Sequence, residues 1–419
     1  MSVHQVALNR STNMNHTQQV LRSGQIIQGK IVKLYPDNKA QLQLGSQRMV
    51  AQLEAALSTG EKYHFQVRTK DNAIHLKVLG EQLKNRTQEN VTQLLHQLGL
   101  KVSKANTAFV QTLIHENIPF DKNQLLQAFQ LLNSSQNKEH TQEILKNMIA
   151  DKLPITDSIK QALSMKNTYG FSEQMKALLQ ALQQDTNQTQ LKNRLNQMVE
   201  HLLSNQDKAF MLASPRDQLL TTINQTLLFT GLTYENQLLN ANIQQQSVTI
   251  KAMLMQLLHE GDGALHGRPQ QLLHFINGMQ LQSVNEFHNY LKAHLVIPGA
   301  RLGIANDLEL DFEGGKTESG EINPDYCRIL FYLDLSNLNK TIIDMNIQKR
   351  SVAVTIFNDF ETIQEHFVSL KPMLIDGLGK LDYHLSSISF KALQQLDEPK
   401  RSASHTYAEP FNQGVDYRI

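Results

Sequence analysis

Between Gly24 and Leu79 apolar and polar residues alternate in short runs broken by turn residues. Ile27, Gly29 and Ile31 interleave with Gln28, Lys30 and Val32, and Tyr35-Pro36-Asp37-Asn38 supplies turn chemistry. Ala40, Leu42 and Leu44 alternate with Gln41 and Gln43 up to Gly45. Further runs follow at Met49-Val50-Ala51, at Tyr63–Val67 after Gly60, and at Ile74–Val78 after Asp71-Asn72. Five short strands in so brief a stretch predict a small closed β-barrel over residues 24–80, of the OB or SH3-like kind. Phe65 should point into it, and Tyr63 shares its face.

The period changes from two to about 3.6 over residues 81–293, which predicts a central helical domain. Val91, Leu94, Leu95 and Leu98 fall on one face, with Gly99 as a stop. Asp121 and Thr156 read as N-caps, each preceded by an apolar residue able to staple onto the first turn. Ser214-Pro215 is a further start, a cap followed by proline, feeding Leu219, Leu220, Ile223 and Leu227 until Gly231. Ile250, Met253, Leu254, Leu257 and Leu258 form another stripe. Met253, Met255 and Met279 could line a soft partner groove, but methionines at helical spacing more often fill a bundle core.

Strand periodicity returns over residues 294–394. Ile329, Phe331, Leu333 and Leu335 alternate with Arg328, Leu330, Tyr332 and Asp334. Ile343, Met345 and Ile347 line one face of a next strand, and Val352, Val354 and Ile356 that of another. Asp359 is placed to cap a helix carrying Ile363, Phe367, Leu370 and Leu374, kinked at Pro372 and stopped by Gly379. A last strand runs from Tyr383 to Phe390. The fold class is thus multidomain α+β: a small N-terminal barrel, a central helical domain, and a C-terminal sheet with one covering helix. Residues 1–23 and 395–419 have the composition of a disordered N-terminus and a flexible tail.

Composition narrows the function more than it reveals it. Forty Lys and Arg nearly balance 39 Asp and Glu, so whole-chain electrostatics mark neither a nucleic-acid binder nor an acidic-surface seeker. One cysteine, Cys327, excludes an intramolecular disulfide and a cysteine-rich zinc site, and fits a reducing compartment. No apolar run reaches the ~18 residues of a membrane span. These features predict a cytoplasmic protein.

The stretch Arg328–Asn339, followed by Ile342–Ile347 and Ser351–Phe357, resembles the C-terminal domain of flagellar hook-length control proteins, and Phe360–Phe390 continues the match. That family alternates along a strand ending in Leu/Pro-x-x-Leu-Gly, then adds two strands, a helix and a strand. Here Leu335 stands at the proline position and Asn339 at the glycine. Asparagine tolerates the left-handed conformation such a glycine adopts. The chain is similar to a divergent, stand-alone Gram-positive branch of that family. The resemblance implies a non-enzymatic role in flagellar type III export: contact with the cytoplasmic domain of the export switch protein, a change in which substrates leave, and candidacy for export itself. The family's ruler function implies a long Pro- and Ala-rich segment, whereas this chain has 10 prolines and an amphipathic helical middle.

Four constellations bear on chemistry. His259 and His266 stand seven apart across glycines, which is wrong for a helix-borne metal pair; no metal or cofactor is expected, and no catalytic constellation is apparent. Cys327 reads as a small buried apolar group at a strand start. The barrel carries Lys30, Lys33, Lys39, Arg48, Lys62, Arg68, Lys70 and Lys77 against Asp37, Glu54, Glu61 and Asp71. That local positive excess makes nucleic-acid binding the alternative function, although Tyr35 is the one aromatic left for stacking. Finally, a sheet edge near Arg328, Lys340, Lys349 and Arg350 could accept a partner strand, or those charges could protect the edge. Arg328, Leu335, Leu338, Asn339, Lys349 and Arg350 are the expected partner-binding residues.

Overall fold

The computed structural model describes residues 21–395, except 46, 71–72, 84–86, 166–169, 205–213, 236–237, 239–248, 262–264, 266, 284, 288–289, 318–319 and 361–362. The expected N-terminal disorder (through residue 20) and C-terminal tail (from 396) lie outside the described residues. The chain divides into two compact units at the Ile155/Thr156 boundary.

In the first unit, β1 (Ile26–Tyr35), β2 (Lys39–Leu44), β3 (Gln47–Leu53), β4 (Lys62–Lys70) and β5 (Ala73–Leu79) close in the order β1-β2-β3-β5-β4. Closure comes from a parallel pairing of β3 with β5, Gln52 opposite His75 and Leu53 opposite Leu76. The alternation read from the sequence is the inside of this barrel: Ile27, Ile31, Ala40, Leu42, Phe65, Val67 and Leu76 are buried together, with Tyr63 beside Phe65. Asp37 and Asn38 both adopt positive φ in the β1–β2 turn, which explains the short polar residues there.

Four helices complete this unit: α1 (Thr87–Gln97), α2 (Lys104–His115), α3 (Lys122–Ser134) and α4 (Lys138–Ala150). Asp121 closes a full capping box with Gln124, its Oδ1 accepting from the Gln124 amide at 2.8 Å. Gly99 ends α1 at φ 65°, and the Leu100 amide reaches back to the Leu95 carbonyl. The segment between α2 and α3 is tied to the barrel by backbone bonds in both directions between Ile26 and Phe120. The helical stretch 81–293 is therefore not one compact body, because its first four helices belong with the barrel.

The second unit opens with α5 (Asp157–Ser164), α6 (Phe171–Gln184), α7 (Gln190–Leu203), α8 (Pro215–Thr230), α9 (Ile250–His259) and α10 (Arg268–Ser283). Thr156 and Ser214 cap α5 and α8 as expected, and Gly231 ends α8 at φ 83°. Phe171, Met175, Leu178, Leu195, Val199, Leu254 and Ile276 form the helical core. Met253 and Met279 are buried in it, whereas Met255 faces outward. Gly278 lets α10 lie against α5, since a Cβ there would meet the Ala162 carbonyl oxygen at 2.4 Å.

A seven-stranded sheet follows: β6 (Asn285–Phe287), β7 (Tyr290–Ile297), β8 (Leu308–Lys316), β9 (Ile322–Leu335), β10 (Asn339–Gln348), β11 (Ser351–Phe357) and β12 (His384–Lys391), in order β12-β11-β10-β9-β8-β7-β6. All neighbours are antiparallel except β11 and β12, which are parallel. The β11–β12 crossover carries α11 (Ile363–Val368) and α12 (Lys371–Gly379). The single kinked helix expected there is two helices. Pro372 lacks an amide hydrogen and its ring clashes with the carbonyl four residues back, so the chain restarts with proline in the first turn of α12. Asp359, expected to cap that helix, accepts from the Leu393 amide through Oδ1, and the described helix begins at Ile363.

Candidate partner-binding surfaces

The two faces of the sheet differ. One carries Ile343, Met345 and Ile347 of β10 with Val352, Val354 and Ile356 of β11, and Ile363, Phe367 and Leu378 of the crossover cover them. On the same face, Leu295, Ile297, Leu308 and Leu310 pack under Leu219, Ile223 and Leu227 of α8. The opposite face is charged. Arg328 binds Asp344 through two parallel hydrogen bonds, Nε to Oδ1 at 2.8 Å and Nη2 to Oδ2 at 2.7 Å. Lys292 pairs with Glu313 at 2.6 Å, and His294 Nδ1 lies 2.6 Å from Asp311 Oδ1. Burial first, then the carboxylates of Asp311 and Glu313, pushes the Tyr332 hydroxyl up to about 12.

This arrangement relocates Arg328. It was expected to flank an edge, but β9 lies between β8 and β10, and the guanidinium is spent on Asp344 within the sheet. Leu335, Leu338 and Asn339 form the β9–β10 turn, where Asn339 takes φ 53°, the left-handed conformation its position demands. Lys349 and Arg350, at φ 45° and 68°, form the β10–β11 turn. The two turns close opposite ends of the ten-residue β10, about 30 Å apart at the usual strand rise. The six residues do not converge on one site.

Asn358 is the residue the sequence did not mark. It is buried at the end of β11, and its Nδ2 donates to the Leu338 carbonyl at 2.7 Å, the Lys340 carbonyl at 3.0 Å and Thr341 Oγ1 at 2.8 Å. Its Oδ1 accepts from the Phe360 amide. One amide thus fixes the β9–β10 turn to the start of the crossover.

The crossover bears the most exposed apolar side chains of the described residues. Val368 is 68% and Met373 72% exposed, and Phe360, Leu370, Ile375 and Leu381 are also exposed. Leu370 was expected on the inner stripe, but the break before α12 restarts the helical phase and turns it out. A run of large apolar groups this open is unusual unless something covers it.

On the barrel, the outward positions of β2 and β3 pair as Lys39 with Gln52, Gln41 with Val50, and Gln43 with Arg48, and none carries a ring. Tyr35 is exposed, but the Lys33 ammonium lies 5.2 Å from its ring centroid. Lys30, Lys33, Lys39, Arg48, Lys62, Arg68 and Lys77 are all exposed and spread over the strands instead of lining one groove, and Arg68 pairs with Glu54 at 3.1 Å.

Outside these surfaces, no group of three or more potential metal ligands occurs among the described residues. His259 is exposed at the end of α9, and His266 lies outside the described residues. Cys327 is half-buried within β9, not at its start, because that strand begins at Ile322; burial raises its thiol. No helix of the described residues is long and apolar enough to cross a membrane.

One comparison falls in the first unit. The profile of the TP0910 S1-like domain matches residues 3–77. With the five-stranded closure, this makes the barrel an S1-like domain of the OB type. The protein described as "Uncharacterized protein YlqG" of Bacillus subtilis (strain 168) is 28% identical over 176 residues, 42% of this chain and 30% of that protein. The matched part thus spans less than a third of that relative's length. No solved structure matches the chain significantly.

Proposed function

We propose that this chain is a non-enzymatic interaction protein of the hook-length-control type, docking on the cytoplasmic domain of a flagellar export switch protein and thereby affecting which substrates are exported. The observation that carries it is the apolar ridge along α11 and α12, which lies in the segment that resembles the hook-length-control domain. A solvent-facing Val368 and Met373 contribute nothing to the sheet's own core, so their burial is available to a partner. The test is a pull-down and titration of the full chain with that cytoplasmic domain. Binding in the micromolar range is expected, weakened at least about tenfold by Val368→Asp with Met373→Asp, with circular dichroism unchanged. No binding at tens of micromolar overturns the proposal.

A second reading, single-stranded nucleic-acid binding by the barrel, is favoured by the S1-like match. OB folds bind such strands on the β2–β3 face, where Lys39 and Arg48 supply charge without an aromatic platform. A salt-sensitive mobility shift lost in a Lys33→Gln, Lys39→Gln, Arg48→Gln variant would support it; its absence at low salt would dismiss it.

A further inference from the structure

The outer face of β1 and β4 differs from the rest of the barrel. Gln28 stands opposite His64, and Lys30 opposite Lys62, so four polar side chains form a square on one surface. Between this square and α1 lies a cleft of about 370 Å³, at the small end of the range that holds small molecules. Asn90, Val91 and Leu83 wall its far side.

Two features of the cleft lack an internal explanation. Like charges directly opposite each other across a ladder are unfavourable, yet neither Lys30 nor Lys62 pairs with a carboxylate among the described residues. Glu61 lines the cleft beside them and leaves one positive charge in excess. Below the lysines, His64 is 3% exposed and both its ring nitrogens lack a hydrogen-bond partner among the described residues. A buried polar group left unmatched is costly. A sequence built only for stability would place an apolar residue there.

We propose that this cleft binds a small phosphorylated molecule, with Lys30 and Lys62 contacting the phosphate and His64 hydrogen-bonding the ligand at the cleft floor. The chemistry fits both anomalies: an anion placed between the two ammonium groups relieves their repulsion, and a turn of the His64 ring, whose nitrogens are otherwise covered, brings one of them to a ligand oxygen. The phosphate could belong to a sugar phosphate or a nucleoside monophosphate, and the cleft volume admits either. This face is not the β2–β3 face used by OB folds for strands of nucleic acid, and it lies in a different unit from the apolar ridge. Its test is therefore independent of both readings above.

The experiment uses the full chain with ¹⁵N-labelled histidine, the His64 signals being assigned by their loss in His64→Gln. Inorganic phosphate, glucose 6-phosphate and adenosine monophosphate are titrated separately to ~10 mM, which reaches affinities of millimolar order. A saturable shift of the His64 signals by any of the three is expected, and the tightest of them identifies the source of the phosphate. Lys30→Gln with Lys62→Gln should weaken that binding at least about tenfold, while Lys39→Gln with Arg48→Gln leaves it unchanged. The proposal is overturned if His64 responds to none of the probes, if only a single-stranded oligonucleotide moves it, or if the Lys30/Lys62 variant binds as the parent does.

Discussion

Every strand of the barrel is hydrogen-bonded on both sides, whereas β6 and β12 of the large sheet each have a strand neighbour on one side only among the described residues. The difference extends to the side chains. Around His64, β4 of the barrel is buried on both faces, Tyr63 and Phe65 toward the inside and His64 toward the helices, while Lys62 and Arg68 farther along are exposed. In the sheet unit the crossover that covers the apolar face is itself apolar on its outer side. A closed barrel offers a partner only what its outward side chains and their helical neighbours provide. An open sheet with a partly apolar cover still has surface to bury. The two proposals follow this contrast, a small ligand for the first unit and a large partner for the second.

That contrast can be broken most forcefully from inside the barrel. Phe65→Ala should cost about 3–5 kcal/mol, because the ring fills the centre of a closed core that cannot collapse around the space; denaturant melting checks this. Acid should act next. Unfolded, the His64 imidazole titrates at 6.5, and burial pushes it down to about 4 in the folded barrel. The native state therefore binds fewer protons between these values. Its stability is intact above pH 6.5, declines as pH falls through the window, and is lower by about 3 kcal/mol below it. His64→Leu should remove this dependence, as melts at several pH values would show.

On the sheet side, Asn358→Ala leaves the Leu338 and Lys340 carbonyls without their donor and should cost about 1–3 kcal/mol, with amide exchange rising first in the β9–β10 turn. The smallest effect belongs to the ridge. Val368→Ser and Met373→Ser should each change stability by about 0.5 kcal/mol or less, which thermal melts would resolve from any larger loss. A larger change would mean that the ridge is packed within this chain.

Much of this fold was legible where local rules agreed with tertiary context. Ile27, Ile31, Ala40, Leu42 and Phe65 alternate because one barrel face is dry, and Asp121, Thr156 and Ser214 cap helices by bonds within three residues. The failures share a cause: they depend on neighbours distant in sequence. Alternation put His64 on the outward side of β4, but could not say that helices cover that side. Arg328 has the look of an edge charge until β8 is known to pair with β9. Leu370 fits the helical stripe only if Pro372 merely bends the helix. The expected partner residues shared a hairpin pattern, which fixes their order along the strand but sets them at its two ends.

The barrel's last join is also its shortest. β3 and β5 meet through two residue pairs, whereas the other junctions run to five or more. Such a join is where the cylinder would unzip first, letting the Glu54 amide, which donates to the Leu76 carbonyl across it, trade its hydrogen with water while the opposite wall stays intact. A molecule wedged behind β1 and β4 would leave that opening unhindered, so breathing at one side and occupancy at the other can be followed as separate events.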